Sequence, residues 1–199
     1  MVKKILPILL LILIGCSKEP INMDEMLIEK NEVFYTKDTD QLYSGPVFSI
    51  YSNDEFFILR EEVTLKDGKP HGLYKEYYDN GKLKEEVTYN KDGKLHGPFK
   101  TYYDNGQLKE EGTLKSGKRY GPYKEYYYYD NGQLKEETTH KNDQLDGPYK
   151  SYYDNGQLSE EMNFKDDKED GLWKLYDKNG QLKEETTYKD GELIDVKEY

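Results

Sequence analysis

Residues 72–89 read GLYKEYYDNGKLKEEVTY, and most of the chain consists of variations on this stretch. Two extended runs of residues flank Asn80-Gly81 within it. Asn-Gly is the strongest short-range signal for a β-hairpin, because a type I′ turn needs positive φ at both of its central residues. The stretch therefore predicts one hairpin in each copy, closed by a two-residue type I′ turn.

The copies align on the glycine that opens each unit, at spacings of 24 to 27 residues. These glycines are Gly45, Gly72, Gly97, Gly121, Gly147 and Gly171. Such a period indicates a repeat architecture, in which stacked neighbours bury the apolar face that one unit cannot bury alone. Residues 195–199 look like the first strand of a seventh unit. We therefore expect an all-β fold, an elongated single antiparallel sheet of about six tandem hairpins.

A turn at Asn80-Gly81 makes Tyr78 face Leu83, Lys75 face Glu86 and Glu76 face Glu85. Because successive strand residues point to opposite sides, the predicted hairpin has two different faces. The first is mainly aromatic and aliphatic and carries Tyr74, Tyr78, Leu83 and Val87. The second is charged and carries Lys75, Tyr77, Lys84, Glu86 and Thr88. Two like charges directly opposite each other destabilise a sheet, so either the Glu76 and Glu85 carboxylates reach a rim or the register contains a bulge.

The N-terminus has the features of a secretory signal. Lys3 and Lys4 precede an apolar run from Ile5 to Ile14, which is about half the ~20 residues that a spanning helix needs. The stretch Leu13-Ile14-Gly15-Cys16 resembles the bacterial lipobox, in which the cysteine sulfur receives a diacylglyceryl group and the chain is cut just before it. Two alternatives are a plain signal peptide with an incidental cysteine and an uncleaved anchor.

The lipobox resemblance implies a signal peptide at 1–15 and lipidation of Cys16. It also implies an exported protein, lipid-anchored to the bacterial cell membrane or outer membrane. Residues 16–30 are polar without a clear period and are interpreted as a tether, with a short helical turn in Met23 to Ile28. Residues 31–199 form the predicted repeat domain.

The repeat unit resembles the variant MORN repeat. The shared features are the opening glycine, an aromatic residue two positions later, the lysine after it, the Tyr-Tyr-Asp-Asn-Gly turn and the Leu-Lys-Glu-Glu run. The aromatic residues are Tyr74, Phe99, Tyr123, Tyr149 and Trp173. This family occurs in bacterial proteins often labelled as antitoxin components of toxin–antitoxin systems. The resemblance implies hairpins stacked side by side, although an exported lipoprotein could not neutralise a cytosolic toxin.

Charge and motif content narrow the classes of function. The net charge of −11 makes nucleic acid an unsuitable partner, because phosphate backbones would repel the chain. Adjacent glutamates such as Glu85 and Glu86 point to opposite faces and form no catalytic dyad. His71 and His96 occupy equivalent turn positions without converging ligands. We therefore predict no catalytic residues, no metal site and no cofactor; the chain is not expected to be an enzyme.

The tyrosines of the charged face are the candidate binding surface. They are Tyr77, Tyr102, Tyr126, Tyr152 and Tyr176. Aromatic side chains can anchor a protein partner with little loss of entropy, or stack on sugars. Two functions follow from this. The first is a protein-binding scaffold with an antitoxin- or immunity-like role, and the alternative is a cell-wall or glycan-binding surface module.

Overall fold

A computed structural model describes residues 18–52, 57–126 and 132–199. These residues form β-strands joined by turns, and one helix of a single turn, α1, which spans Met23–Met26. The strands are β1 Ile21–Asn22, β2 Leu27–Lys30, β3 Val33–Thr36, β4 Gly45–Ser52, β5 Phe57–Lys66, β6 Lys69–Tyr77, β7 Leu83–Tyr89, β8 Leu95–Tyr102, β9 Leu108–Lys115, β10 Lys118–Tyr126, β11 Leu134–Lys141, β12 Gln144–Leu145, β13 Gly147–Tyr152, β14 Leu158–Lys165, β15 Lys168–Glu169, β16 Gly171–Tyr176, β17 Leu182–Lys189 and β18 Glu192–Glu198.

The main sheet follows the order of the chain. Its path runs β1-β4-β5-β6-β7-β8-β9-β10-β11-β13-β14-β16-β17-β18, with β12 beside β11 and β15 beside β14. The paired repeat strands are antiparallel, while β1 joins β4 in parallel. The strands β2 and β3 form a separate small sheet. The prediction of an all-β sheet of tandem hairpins is confirmed.

The chain divides into two compact units. The first comprises the residues up to Gly97 together with Asp104–Gly106, and the second comprises Pro98–Tyr103 and Gln107–Tyr199. The first unit has a core of Leu27, Val47, Val63 and Leu65, against which Ile21, Met23, Phe34, Tyr43 and Tyr74 pack.

In the second unit, Phe99 and Tyr123 are buried beside Gly112. Their ring centroids are 6.4 Å apart. A Cβ on Gly112 would approach Phe99 to 3.0 Å and Tyr123 to 3.3 Å. The equivalent strand position in the other hairpins carries Val87, Thr138, Met162 or Thr186, so this glycine makes room for two large rings.

The hairpin turn differs from the predicted type I′ turn. Gly81 N–H donates to the carbonyl of Tyr78 at 2.8 Å, and Tyr78 N–H donates to the carbonyl of Lys82 at 2.8 Å. Gly81 has φ of 78°, whereas Asn80 does not have positive φ. This is a three-residue loop, in which a type I turn is followed by a left-handed glycine. The prediction was wrong because this loop needs positive φ at the glycine alone, and the Asn80 Oδ1 is bonded to Lys82 N–H at 3.0 Å.

The longer loop changes the pairing beside it. Lys75 faces Glu86 and Glu76 faces Glu85 as predicted, but Tyr77 takes the place of Tyr78 opposite Leu83, with a break in register between the two pairs. One residue of the returning strand, Lys84, is therefore extra, which defines a β-bulge. Of the two explanations left open by the sequence, the bulge is the correct one. The predicted Tyr78–Leu83 pair and the place of Lys84 on the charged face were wrong.

The interpretation of residues 16–30 as a tether also needs correction. From Ile21 onward this segment is folded: β1 pairs with β4, α1 follows, and β2 pairs with β3. Leu27 is buried in the core of the first unit, and Phe34 packs against that core. The strands in this segment have only two and four residues, so the sequence shows no alternation of apolar and polar residues long enough to predict them.

Candidate functional site

Four of the five predicted tyrosines of the charged face donate to glutamates of the preceding hairpin. In the first unit the Tyr77 hydroxyl donates to Glu62 at 2.8 Å. The second unit repeats this bond between residues fifteen positions apart. Its pairs are Tyr126 to Glu111 at 2.9 Å, Tyr152 to Glu137 at 3.0 Å and Tyr176 to Glu161 at 3.0 Å. Tyr102 ends β8 at the equivalent position and is half-buried.

The same arrangement recurs at the last strand of the second unit. Lys197 faces Glu185, and the Tyr199 hydroxyl donates to the Glu185 carboxylate. Tyr199 therefore occupies the position that Tyr176 has in the preceding hairpin. The β18 strand carries the tyrosine and lysine of the repeat, although it carries Val196 where the other hairpins carry an aromatic residue.

Lysines complete the charged face. Lys75 lies 3.3 Å from Glu62, Lys124 lies 2.8 Å from Glu137, and Lys174 lies 3.1 Å from Glu161. A lysine of one hairpin can therefore pair with a glutamate of its own hairpin or of the preceding one. The result is a repeated cluster of one tyrosine, one lysine and one glutamate, which we call the Tyr-Lys-Glu cluster.

The protonation equilibria of the cluster reflect these contacts. The ammonium of Lys124 and the hydroxyl of Tyr152 both donate to Glu137 and lower the pKa of that carboxyl. Burial, together with the carboxylate that it faces, raises the pKa of Tyr126 to about 12 and that of Tyr152 to about 12. At neutral pH the glutamate is therefore charged, the tyrosine is neutral and a donor, and the cluster is fixed in one pattern.

The other face of the sheet uses a second set of tyrosine–glutamate bonds. Tyr74 donates to Glu61 at 3.0 Å in the first unit, and Tyr149 donates to Glu136 at 3.1 Å in the second. Burial and the Glu136 carboxylate raise the pKa of Tyr149 to about 12. These tyrosines connect adjacent hairpins on the face that the sequence predicts to be mainly aromatic and aliphatic.

Residues at the bulge were missed as interaction partners by the sequence reasoning. Lys84 lies 2.8 Å from Glu76, and Lys135 lies 2.7 Å from Glu125. Where the first strand has Ser151 instead of glutamate, the bulge position is Ser159, and their hydroxyls are 2.7 Å apart. The sequence contains little signal for this contact, because only Ser151 and Ser159 change together, whereas Lys109 and Lys183 are kept where the first strand has Thr101 or Leu175.

A cleft of about 530 Å³ opens at the turn end of the first unit. Its lining includes Tyr51, Ile58, Arg60, Tyr77, Tyr78 and Lys84. It thus combines three aromatic rings with apolar and charged side chains, and it includes the first tyrosine of the predicted column. Glu76, Asp79, Asn80 and Asp104 also line it, so its wall is more polar than that of a typical site for an apolar small molecule.

The structure bears on the N-terminal and metal-site predictions only through the residues that it describes. Cys16, the predicted lipidation site, lies outside the described residues. The described part of the chain contains no group of three or more His, Cys, Asp and Glu residues arranged to hold a metal ion. Its helix is a single turn, so none of the described helices is long and apolar enough to cross a membrane.

Two comparisons with known proteins bear on the family. A search of curated proteins found no match. A family model described as the MORN repeat variant matches residues 70–91, 95–116, 119–142, 145–166 and 169–190. Each matched segment contains one hairpin of the sheet, from β6–β7 to β16–β17, and together they cover more than half of the sequence. The chain therefore belongs to the MORN repeat variant family.

Proposed function

We propose that this chain is a membrane-anchored envelope lipoprotein whose repeat sheet is a protein-binding scaffold without catalytic activity. The observation that carries the proposal is the Tyr-Lys-Glu cluster, which presents an ordered aromatic and charged pattern in hairpin after hairpin. Preordered side chains lose little conformational entropy on binding, which favours them as contacts. Because the same cluster recurs, it can contact an extended partner surface at several places, whereas catalysis needs one unique set of reacting groups.

The charged face favours a protein over a glycan. The hydroxyls of Tyr77, Tyr126, Tyr152 and Tyr176 already donate to glutamates. A sugar would therefore find the tyrosine rings for stacking but would compete for groups that are already bonded. A protein partner depends less on these hydroxyls, because its apolar side chains can contact the rings while its charged groups contact the partly exposed lysines and glutamates of the cluster.

A glycan-binding role is the second candidate, and the cleft of the first unit favours it. Tyr51, Tyr77 and Tyr78 lie there beside Arg60 and Lys84. Rings for stacking and polar groups at the edge are the features that a sugar site needs.

The proposal includes the lipid anchor and an immunity-like role. Lipidation at Cys16 would hold the domain on a membrane, since acyl chains gain about 0.8 kcal/mol per buried CH₂. On the outer side of a cell membrane or in the envelope, the scaffold would meet exported proteins rather than cytosolic toxins. An antitoxin-like activity would then consist of binding and blocking an exported protein.

The experiment is a pull-down with the mature chain against envelope extract and against purified peptidoglycan. The double substitution Tyr126→Ala and Tyr152→Ala removes two rings of the column, and Tyr120→Ala removes an exposed tyrosine outside it. We expect saturable capture of a protein that the double variant loses and Tyr120→Ala keeps. Retention on bare peptidoglycan that the double variant loses and Tyr120→Ala keeps would replace the protein-binding proposal by the glycan alternative.

Mass spectrometry of the mature N-terminus tests the lipid anchor, and an unmodified Cys16 would refute the anchor.

A further inference from the structure

An apolar row lies on the outer side of the small N-terminal sheet. Ile28 of β2 faces Tyr35 of β3, and Tyr35 is paired in turn with Leu42. Residues directly opposite each other share one side of a sheet, so these three side chains form a row across three chain segments. Ile28 is 43% exposed and Leu42 is 50% exposed. We call Ile28, Tyr35 and Leu42, with the adjacent Met26, which is also 50% exposed, the outer row.

The opposite side of this small sheet is buried. Leu27 is 4% exposed, and Phe34 and Tyr43 pack against the core of the first unit. The sheet is thus a lid whose inner face packs on the core. On its outer face the side chains of Met26, Ile28 and Leu42 are about half exposed, and Tyr35 is half-buried.

Backbone bonds hold this lid in one orientation. Phe34 N–H donates to Gly68 O at 2.8 Å, and Gly68 N–H donates to Tyr43 O at 2.8 Å. Gly68 has φ of 75°, and a Cβ there would lie 2.6 Å from Val33 Cγ1, 2.7 Å from Phe34 O and 3.1 Å from Cδ2 of Leu42, so part of the Leu42 side chain lies against this turn. The lid therefore sits directly on the turn between β5 and β6, and the outer row has a fixed direction in the first unit.

The start of the described chain is held beside the lid. The Lys18 ammonium donates to Ser44 O at 2.9 Å and lies 5.4 Å from the centre of the Tyr43 ring. Leu42 of the outer row precedes these two residues. Two residues of fully extended chain span about 7 Å, so Cys16 cannot be far from Lys18. A lipid on Cys16 would bring the bilayer to this end of the first unit.

We propose that the outer row contacts the interface of the lipid bilayer when Cys16 is lipidated, which orients the first unit on the membrane. This inference rests on the proposed lipid anchor. Ile28, Leu42 and Met26 would enter the boundary between headgroups and acyl chains. Tyr35 is suited to the interface because one end of its side chain is apolar and the other is wet. The Lys30 ammonium, 5.3 Å from the centre of the Tyr35 ring, would remain among the headgroups.

The net charge of the N-terminal segment indicates which class of lipid headgroup it can approach. From Lys18 to Tyr43 the chain carries seven acidic and three basic residues, a balance of −4. An anionic surface would repel this segment. The outer row therefore fits a zwitterionic headgroup layer better than an anionic one.

The test is hydroxyl-radical footprinting of the chain 16–199 coupled through the Cys16 thiol to a maleimide lipid in zwitterionic vesicles. This coupling makes the result independent of lipidation in the cell. Leu73 is the internal control, because its side chain is 49% exposed. It lies on the face of the main sheet opposite to that of Tyr74, which packs against the core. We expect oxidation of Met26, Ile28 and Leu42 to fall about fivefold or more on coupling, because buried side chains lose contact with water, while Leu73 is unchanged.

Two variants show whether the row causes the orientation. With Ile28→Glu and Leu42→Glu together, the protection of Met26 should disappear although the protein remains coupled; Leu73→Glu should preserve it. Equal oxidation of Met26, Ile28 and Leu42 on free and coupled chains, or protection that survives the double substitution, would overturn the inference. An unmodified Cys16 in the cell, found by mass spectrometry of the native protein, would instead refute the anchor of the proposed function.

Discussion

The ammonium of Lys84 lies 2.8 Å from a carboxylate oxygen of Glu76, on the side of the sheet where Glu76 faces Glu85. The bulge makes this contact possible, because Lys84 is the extra residue of the returning strand. A pair of like charges across the strands is thereby compensated within the same hairpin.

Removing this lysine should destabilise the first unit. In Lys84→Met the Glu76 and Glu85 carboxylates face each other without the compensating charge. We expect a loss of about 0.5–1 kcal/mol, the range for a partly exposed pair, measured as a lower urea midpoint. The double substitution Glu76→Ser and Lys84→Ser copies Ser151 and Ser159 and should recover most of it. Lys91→Met, at an exposed connection, is the control, and an equal loss there would contradict the explanation.

The hydroxyl of Tyr152 should affect both stability and the charge of Glu137. Tyr152→Phe keeps the ring but removes a donor to that carboxylate. We expect a loss of about 0.5–1.5 kcal/mol in the free energy of unfolding, and a rise in the pKa of Glu137, because one of the contacts that lower it is gone. Denaturant titration and carboxyl NMR titration measure the two effects. Tyr120→Phe, at an exposed tyrosine, should change neither, and an unmoved Glu137 pKa in Tyr152→Phe would contradict the prediction.

His140 should make the second unit less stable at mildly acidic pH. The side chain is 6% exposed and lies against Tyr123, and burial, followed by the charge of Arg119, lowers its pKa, while Asp143 and Asp167 act in the opposite direction. The unfolded chain therefore binds the proton more readily, and stability falls as pH drops below the ordinary histidine value of about 6.5.

Urea midpoints between neutral and mildly acidic pH measure this effect. His140→Phe should have a flatter pH dependence than the unmodified chain through that window, while His96→Phe, at an exposed position near the start of β8, should keep the original slope. Parallel pH profiles for His140→Phe and the unmodified chain would rule out His140 as the source.

Gly112 should tolerate no large side chain although it lies in an ordinary strand. Gly112→Val places new atoms against Phe99 and Tyr123, whose rings are within 3.0 and 3.3 Å of the Cβ position. Overpacking of this kind costs about 1–3 kcal/mol, measured by urea unfolding. Met162→Val, at the equivalent position in another hairpin, should cost less. A more stable Gly112→Val would show that the rings move apart freely.

The sequence by itself determined the repeat, its period and its hairpin class. A left-handed glycine is needed in each turn, and Asn-Gly marks it whether the loop has two residues or three. That is also why the turn type was wrong: Gly81 has positive φ in both loops, and what distinguishes them is the φ of Asn80 and the hydrogen bond from Gly81 to Tyr78. The pairing of Lys75 with Glu86 survived because the bulge affects the strand only nearer the turn.

The tertiary structure decided which partner each side chain has. Tyr152 and Glu137 are fifteen residues apart and on different hairpins, so their bond depends on the order and register of neighbouring strands rather than on local pattern. The same holds for Leu27, whose segment, residues 16–30, is polar without a clear period in sequence but is folded onto the first unit. Local propensity specifies turns and strands, whereas contacts between hairpins arise only when the sheet brings distant residues to within a few ångströms.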